Sequence, residues 1–459
     1  MAIDIENAVP EQGGISRRSL LKTAIRSAVP AIVPASVLGA NAPSNRLNVA
    51  VIGLGSQGRR DLYALMSQNA RIVALCDVDD RQTAHIKREA GLHQAATYSD
   101  YRLMFAREKW LDAVLIATPD HWHALLCRAA FHAGKHVYCE KPLARTVGEA
   151  RELRQLARSS RLITQMGNQG SASEAFRRSI EVIEAGALGQ INEIHAYIPG
   201  GRFPRGIDRP RGGGGHAPHG LNWDFWVGPA PALPYHDHLY HPFDWRGWYD
   251  FGSGQLGDFG CHAFNLPARA LKLGYPDWIA VEGVGLGRPS YIVSGHVRFH
   301  FPARQKLCEV TIDWYDAIDP PVNVFRDVIE CYGDLPSGVL LLGENGSMFT
   351  SPHNMGGIVK LHGDNQFRPV LHHPGLQSVP VRLPRVRSHY DEWLRACRGA
   401  GHTYSNFDTG GQLTEVVQAG VLALRLGRSI HWNGPTMQAE ESPDAGALIH
   451  PGYRTRWMA

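Results

Sequence analysis

A glycine-rich turn between a short apolar run and a helical pattern constrains the fold of this chain most strongly. Residues 47–52 form a continuous apolar, β-branched run that ends in Gly53-Leu54-Gly55-Ser56-Gln57-Gly58. In a strand–turn–helix unit, glycines at this spacing allow a tight turn, close approach of the backbone to a pyrophosphate and close packing of helix on strand. The amino end of the next helix then faces the phosphates. The residues predicted to bind a dinucleotide here are Gly53, Gly55, Ser56, Gln57 and Gly58.

The acidic residue after the second apolar strand indicates which dinucleotide is bound. That strand covers residues 72–76 and is followed by Asp77, nineteen residues beyond Gly58. A carboxylate at this distance hydrogen-bonds the adenosine ribose and repels a 2′-phosphate. We therefore expect NAD rather than NADP, and Arg81 is the nearby residue that could weaken this preference.

Strand and helix signals alternate along the first third of the chain. One helical pattern opens with Thr146-Val147-Gly148-Glu149, which is a capping-box sequence. Short buried strands that alternate with helices are typical of a parallel, doubly wound sheet. The sequence thus predicts an α/β protein with an N-terminal Rossmann dinucleotide-binding domain over residues 46–170. The further strands expected in this domain are 113–117, 136–139 and 162–166.

The pattern changes in the second part of the chain. Residues 199–234 are dense in Gly, Pro and Arg, which predicts a long loop or insertion without a regular element. A late helix is expected over 411–426, and residues 428–432 follow it before the tail. We therefore predict a C-terminal α/β domain with a largely antiparallel sheet over residues 171–435, and a tail over 436–459. The β-rich alternation of this sheet is found at 295–301, 308–315 and 328–332.

The N-terminal segment carries the features of an export signal. Arg17 and Arg18 lie in Ser16-Arg17-Arg18-Ser19-Leu20-Leu21-Lys22, which reads as a twin-arginine signal. The apolar stretch that follows is too short, and too interrupted by prolines, to span a bilayer. We expect residues 1–42 to be a signal peptide recognised by the twin-arginine export machinery, which places the protein in the periplasm. The alternative is a disordered arginine-containing tail on a cytoplasmic protein.

Charge, cysteine and histidine content exclude several functions. A formal net charge of +4 over 459 residues gives no reason to expect nucleic acid as a partner. The seven cysteines lack CxxC spacing and are expected to be free rather than paired. The His-rich stretch at 235–241 could hold a metal, but its spacing matches no common site, so no metal is predicted. The cysteines predicted to be both free and buried are Cys76, Cys127, Cys139, Cys308 and Cys331.

Polar residues follow three strands of the predicted parallel sheet. Ligands on such sheets bind beyond the carboxyl ends of the strands, so these residues are expected at the cofactor end. For a single strand a solvated loop would be the better interpretation, but three successive strands favour a site. The additional residues predicted to lie at the cofactor are Thr118, Pro119, His123, Glu140, Lys141 and Asn168.

Asp258 and His262 stand four residues apart, which places them on one face of a helix. An imidazole oriented by a carboxylate is suited to act as a general base near neutral pH. A purely structural pair is the alternative.

Together these motifs resemble the Gfo/Idh/MocA family, which includes glucose-fructose oxidoreductase and inositol dehydrogenase. The resemblance covers roughly residues 46–435 and implies that Lys141, Asp258 and His262 are catalytic. It also implies a homo-oligomer, because the antiparallel sheet often forms the subunit interface in this family. The tryptophan-rich region resembles an exported branch that acts on glycosides, although core packing is the alternative for each tryptophan. The residues expected to contact a sugar are Trp122, Trp223, Trp226, Trp245 and Arg246.

The resemblance implies oxidation of a sugar hydroxyl, expected at C3, with a tightly bound NAD. His262 would take the hydroxyl proton, Lys141 would stabilise the oxyanion and Asp258 would orient His262. The 3-ketone could then be released, exchange hydride with a second sugar, or allow elimination, hydration and re-reduction as in a glycosidase. The alternatives are a conventional sugar or polyol dehydrogenase with exchangeable NAD and a non-catalytic sugar-binding protein.

Overall fold

A six-stranded parallel sheet forms the N-terminal of the two domains, which are the two halves of the fold. The computed structural model describes residues 46–440 and 442–457, so the predicted signal peptide lies outside the described residues. The strand order is β3-β2-β1-β4-β5-β6, and each neighbouring pair is parallel. This is the order of a Rossmann fold, as predicted. The strands are β1 (Asn48–Ile52), β2 (Arg71–Cys76), β3 (Ala96–Tyr98), β4 (Ala113–Ile116), β5 (His136–Cys139) and β6 (Thr164–Met166).

Helices connect these strands and begin at capping side chains in several cases. The predicted cap at Thr146 is confirmed, since its hydroxyl oxygen accepts from the backbone N–H of Glu149 at 3.3 Å. Asp79 and Asp100 cap the second and third helices in the same way. The helices are α1 (Ser56–Ser67), α2 (Asp80–Glu89), α3 (Tyr101–Arg107), α4 (Asp120–His132) and α5 (Val147–Ser159).

A ten-stranded sheet forms the second half. Its order is β14-β13-β12-β11-β7-β10-β9-β8-β15-β16. The central pair β7/β10 is parallel and the other pairs are antiparallel, which confirms the predicted largely antiparallel sheet. The strands are β7 (Ile191–Ile198), β8 (Trp278–Val284), β9 (Ser294–Phe301), β10 (Val310–Asp316), β11 (Gly338–Gly343), β12 (Gly346–Thr350), β13 (Gly357–Leu361), β14 (Arg368–Pro369), β15 (Ile430–Asn433) and β16 (Gln438–Ala439).

One hydrophobic core joins the two halves. It contains Ile116 of the parallel sheet, Phe299 of the ten-stranded sheet and Val417 of the late helix, all buried. The Arg151 guanidinium on α5 also donates to the buried Glu415 carboxylate of the late helix at 2.6 Å. The remaining helices are α6 (Glu174–Glu184), α7 (Trp223–Val227), α8 (Gly254–Ala263), α9 (Asn265–Ala270), α10 (Val322–Tyr332), α11 (His389–Cys397), α12 (Phe407–Leu426) and α13 (Ala445–Ile449).

Two predictions about local structure are wrong. Residues 328–332 lie in helix α10 rather than in a strand, because Phe325 and Val328 recur at helical spacing and bury one face. Cys331 consequently points to solvent and is exposed, and Cys308 is half-buried, whereas both were expected to be buried. All seven cysteines are free, as predicted.

The segment 199–234 also differs from the expectation in one respect. It is irregular for most of its length, but it contains the short helix α7, which Asn222 caps by accepting from Phe225 N–H at 3.1 Å. Among the helices of the described segments, none combines the length and apolarity that a bilayer crossing requires.

Candidate active site

The glycine turn leaves room for phosphates at the amino end of α1. Gly53 has φ +86°, and a Cβ on it would lie 2.6 Å from the Ala117 carbonyl oxygen. A Cβ on Gly58 would lie 1.9 Å from the Gly53 carbonyl oxygen, so helix and strand pack too closely for a side chain. Beside Gly55, in contrast, no atom lies within 4 Å of a Cβ. The first turn of α1 has neither a capping side chain nor an acidic residue, so its N–H groups are available to an anion.

Asp77 is fixed at the end of β2. Its two carboxylate oxygens accept backbone N–H groups from Leu54 at 2.7 Å and from Asp79 at 2.9 Å. Burial raises its pKa to about 6, so the group is ionised at neutral pH. Arg81 forms two hydrogen bonds with the Asp79 carboxylate, at 2.8 and 2.7 Å, which keeps its guanidinium engaged. The charge at this end of the cavity therefore disfavours a 2′-phosphate, as the sequence predicts.

One cavity runs from the glycine turn to the second half of the protein, and most of the predicted residues line it. Gly58, Asn168, Trp223 and His262 are not among the lining residues. The predicted residues that do line it are Gly53, Gly55, Ser56, Gln57, Asp77, Thr118, Pro119, Trp122, His123, Glu140, Lys141, Trp226, Trp245, Arg246 and Asp258.

Two polar side chains follow β4, and they differ in whether the protein itself supplies their hydrogen-bond partners. The Thr118 hydroxyl is buried in the cavity wall without a hydrogen-bond partner in the described part of the chain. His123 is committed to the backbone, with ring nitrogens 2.7 Å from the Pro142 carbonyl and 2.9 Å from the Thr118 carbonyl. Burial lowers its pKa to about 4, so it is neutral. Thr118 therefore fits a cofactor contact, and His123 braces the two loops beside it.

Glu140 shares a buried acidic cluster that the sequence did not reveal. Its carboxylate accepts from the Gln169 amide at 2.6 Å. The nearby Asp61 carboxylate accepts from the Tyr390 hydroxyl and from the Gln57 amide, both at 2.7 Å. Burial, and the proximity of the two carboxyl groups, raise the pKa of Glu140 well above its ordinary value. Burial also raises the pKa of Asp61, to about 6. The cluster fixes Glu140 in the cavity wall.

Lys141, Asp258 and Arg246 form the charged centre of the cavity. The Lys141 ammonium donates to the Asp258 carboxylate and, at 2.9 Å, to the Asp258 backbone carbonyl. The Arg246 guanidinium lies 3.7 Å from the other Asp258 oxygen. Burial opposes the charge on Lys141, but the Asp258 carboxylate outweighs it and raises the pKa of the lysine. The pKa of Asp258 is lowered despite its burial, because Lys141 and Arg246 stabilise the carboxylate. Lys141 is thus held as a cation.

His262 lies one turn from Asp258 on α8, as predicted, but it contacts a different neighbour. The Asp258 carboxylate faces Lys141 and Arg246, and the His262 ring lies 4.6 Å from the ring of His353. Its Nδ1 is buried and finds no hydrogen-bond partner among the described residues. Burial and the charge of Lys141 lower the pKa of His262 well below its ordinary value, so the imidazole is neutral. The His262 imidazole is therefore a neutral ring behind the cavity wall, next to His353.

Asp120 is a further carboxyl group in the cavity. It is the first residue of α4, it is 5% exposed, and it lies near Arg246, Lys141 and Asp258. Burial raises its pKa to about 7 although Arg246 and Lys141 oppose the shift. It can therefore hold or release a proton near neutral pH.

The tryptophans predicted to contact a sugar form a packed wall. Trp122, Trp226 and Trp245 line the cavity but are buried. Trp223 stacks on Trp226 with ring centres 4.8 Å apart, and its Nε1 donates to the Leu233 carbonyl at 2.9 Å. Sugar contact by these residues stays a prediction. Arg246 lies over the Trp245 ring at 4.3 Å, which fixes its guanidinium beside Asp258.

Family comparison matches one segment in each of the two domains. Residues 47–168 match the family model described as an oxidoreductase family with an NAD-binding Rossmann fold. Residues 214–271 match the corresponding C-terminal alpha/beta domain. The chain belongs to the Gfo/Idh/MocA family. Residues 47–168 are an NAD-binding domain, and the glycine turn and the uncapped α1 terminus fit that cofactor, as does the Thr118 hydroxyl, which has no partner among the described residues.

Individual relatives of this Gfo/Idh/MocA chain match over shorter regions. It is 30% identical over 153 residues to inositol 2-dehydrogenase 1 of Saccharopolyspora erythraea, which covers 32% of this chain and 44% of that protein. It is 31% identical over 166 residues to glycosyl hydrolase family 109 protein 2 of Shewanella sp. (strain ANA-3). That match covers 30% of this chain and 36% of that protein. The matches thus cover less than half the length of these curated relatives.

A solved structure of similar fold matches most of this Gfo/Idh/MocA chain. The WlbA dehydrogenase from Bordetella pertussis, in complex with NADH and UDP-GlcNAcA, aligns with a TM-score of 0.59 and 17% identity. The alignment covers 84% of this chain and 98% of that one. At this identity the likeness shows the fold alone.

Some residues of the site were missed in the sequence. Asp120 stands in a motif that follows a strand, and its position as first residue of a helix at the sheet edge was the available signal. Asp61, His353 and Trp457 belong to no local motif, and only the tertiary fold brings them to the Gfo/Idh/MocA site.

Proposed function

We propose that this protein is an NAD-dependent oxidoreductase that acts on a hydroxyl group of a sugar or glycoside, with C3 as the reacting carbon. The observation that carries the proposal is the Lys141 ammonium, held between the Asp258 carboxylate and carbonyl in a cavity continuous with the glycine turn. A cation fixed in this way stabilises the oxyanion that forms when a hydroxyl is oxidised. The similarity to an inositol dehydrogenase and to a glycosyl hydrolase supports a polyhydroxylated substrate.

The protonation states of Lys141 and His262 give these two side chains different roles in the proposed reaction. Lys141 stays charged, so it donates hydrogen bonds to the substrate oxygen and does not act as the base. His262 is neutral, so its imidazole is the group proposed to accept the hydroxyl proton. Asp258 balances the charge of Lys141, together with Arg246, rather than holding the imidazole. NAD, when bound, accepts the hydride that leaves the carbon and can return it if the cycle is closed.

A closed redox cycle suits the proposed export. A ketone at C3 acidifies the proton at C2, so the substituent at C1 can be eliminated, water can add, and the ketone can be reduced again. No cofactor is consumed, which a protein exported with bound NAD requires. The likeness to a glycosyl hydrolase family member favours this cycle. The twin-arginine signal, periplasmic location and homo-oligomeric assembly are part of the same proposal.

The second candidate is a sugar or polyol dehydrogenase with freely exchanging NAD, which the inositol dehydrogenase likeness supports. Retention of nucleotide during purification separates the two candidates. A retained cofactor favours the closed cycle, whereas protein that elutes free of nucleotide and turns over only with added NAD favours the conventional dehydrogenase.

The proposal is tested on full-length protein purified without added cofactor. The bound nucleotide is identified by mass spectrometry, and the absorbance of reduced nicotinamide is followed as a panel of glycosides is added. We expect at least one glycoside to reduce the nucleotide in the wild type. Lys141→Met, which keeps the length of the side chain and removes its charge, should bind the nucleotide but fail to reduce it. Full reduction in Lys141→Met would overturn the role assigned to Lys141, and a bound nucleotide that no sugar reduces would favour a sugar-binding protein.

A further inference from the structure

The C-terminal segment returns to the cofactor cavity. After α13 the chain runs through residues 450–454 into a short 3₁₀ turn, Thr455–Trp457. The Trp457 side chain lines the cavity that also contains the glycine turn, and it is 2% exposed. A residue some four hundred positions from Gly53 in sequence thus forms part of the same wall.

Trp457 lies in the part of the cavity that follows β2, β3 and β4. Its ring packs edge-on against Trp122 of α4 at 5.0 Å, and Trp122 in turn packs against Tyr101 of α3 at 5.9 Å. Tyr101, Ser99 and Asp77 line the same region. Because the acid after β2 marks the adenosine ribose in Rossmann folds, this is the adenosine end of the cavity.

The Trp457 indole has a polar atom that the protein does not satisfy. Its Nε1 is buried, and no acceptor in the segments the structure describes lies within hydrogen-bonding distance. A buried N–H without a partner is unfavourable unless a ligand supplies an acceptor. The purine ring offers ring nitrogens as acceptors and an aromatic face for the surrounding rings. The indole therefore has both the shape and the chemistry of an adenine contact.

The segment is fastened to the insertion helix α7 by charged side chains. The Arg454 guanidinium donates to the Gly228 carbonyl, the Asp224 carboxylate and the Asp224 carbonyl at 2.7, 2.7 and 2.9 Å. Arg456 donates to the second Asp224 oxygen at 2.8 Å. Tyr453 is held separately by the Glu149 carboxylate of α5 at 2.6 Å. These contacts fix the segment to α7 and α5, beside the part of the cavity wall that Trp457 forms.

We propose that residues 450–457 form a strap over the adenosine end of NAD, with Trp457 as its contact and Asp224 as its latch. The bound nucleotide leaves only when the latch opens, so the strap slows release. This inference rests on the cofactor retention proposed above and gives it a structural cause. It does not depend on which sugar is oxidised.

The test is the dissociation rate of NADH, measured without any sugar. Full-length protein is loaded with NADH and mixed with excess NAD, and the loss of bound-nicotinamide fluorescence is followed. Trp457→Ala removes the N–H donor proposed to meet the purine, so it should release NADH several-fold to about tenfold faster. Arg454→Ala with Arg456→Ala keeps Trp457 but removes the bonds to Asp224, and should also speed release. Trp110→Ala, at a tryptophan that is 81% exposed and does not line the cavity, is the matched control and should release NADH at the wild-type rate.

Wild-type release rates in both the Trp457 variant and the double-arginine variant would overturn the strap. If Trp457→Ala does not fold, as judged by circular dichroism, the double-arginine variant decides alone. Rapid release from the wild type itself would instead refute cofactor retention, while the ratio of variant to wild-type rates would still test the strap. The two failures are therefore distinguishable.

Discussion

Replacing Asp120 by asparagine should change how the stability of the protein depends on pH. Asparagine has the same shape but cannot ionise. Burial raises the pKa of Asp120 from its ordinary value of 3.8 to about 7 in the folded protein. The folded state therefore binds a proton that the unfolded chain has lost between these two values. Since the unfolded state binds fewer protons, the free energy of unfolding falls as pH rises through this window.

The size of the effect follows from the shift. About three pKa units at 1.36 kcal/mol per unit give roughly 4 kcal/mol over the whole window. Between about pH 5 and about pH 8 the wild type should lose about 2 to 3 kcal/mol more than Asp120→Asn. The group is 5% exposed, so solvent screening removes little of this difference.

Urea unfolding of both proteins at the two pH values, with the same nucleotide content, measures this difference. Asp208→Asn, which removes a carboxylate whose side chain is 73% exposed, controls for the change of net charge and should follow the wild type. Parallel pH profiles for wild type and Asp120→Asn would refute the raised pKa of Asp120. That result would also show that Asp120 does not hold a proton beside Lys141 near neutral pH.

Three further predictions concern the cofactor pocket, a helix cap and the cysteines. Asp77→Ser removes the carboxylate that repels a 2′-phosphate, so the ratio of NADP to NAD affinity, measured by titration, should rise about tenfold or more; an unchanged ratio would contradict the role of Asp77. Thr146→Ala removes the cap of α5 and should lower the free energy of unfolding by about 1 kcal/mol, with equal urea midpoints as the refuting result. Cys331 is exposed and should react first with a thiol reagent. Cys76 is buried, which raises the pKa of its thiol, and should react only when the protein unfolds. Equal reaction rates for the two thiols would contradict the exposed position of Cys331 on α10.

Local sequence signals were sufficient for the Rossmann half. The glycine turn, the capping threonine and the short apolar strands each depend on neighbours within a few residues, and Asp77 is placed by the strand it ends. The strand prediction for residues 328–332 was wrong because the stretch is ambiguous. Its five residues are apolar on both sides of one charged residue, Glu330, and this pattern fits a strand as well as a helix. The upstream Phe325 decides between them.

The partners of the site residues could not be predicted in the same way. Asp258 and His262 lie on one helix as expected, but the packing of α8 against the cavity decides that Asp258 meets Lys141 and Arg246. His353 and Trp457 come from distant segments whose positions depend on the ten-stranded sheet and on the insertion helix α7. The sequence contains no periodic or spacing signal for such contacts.

Transfer of deuterium from the substrate to the bound nucleotide tests the central claim most directly. A glycoside that reduces the copurified nucleotide is prepared with deuterium at C3, and the nucleotide is analysed by mass spectrometry after a single turnover. If the Lys141 centre oxidises the C3 hydroxyl, the reduced nicotinamide carries the deuterium and its formation is slowed by the isotope. A reduced nicotinamide without deuterium, formed at the same rate as with unlabelled sugar, would contradict the account.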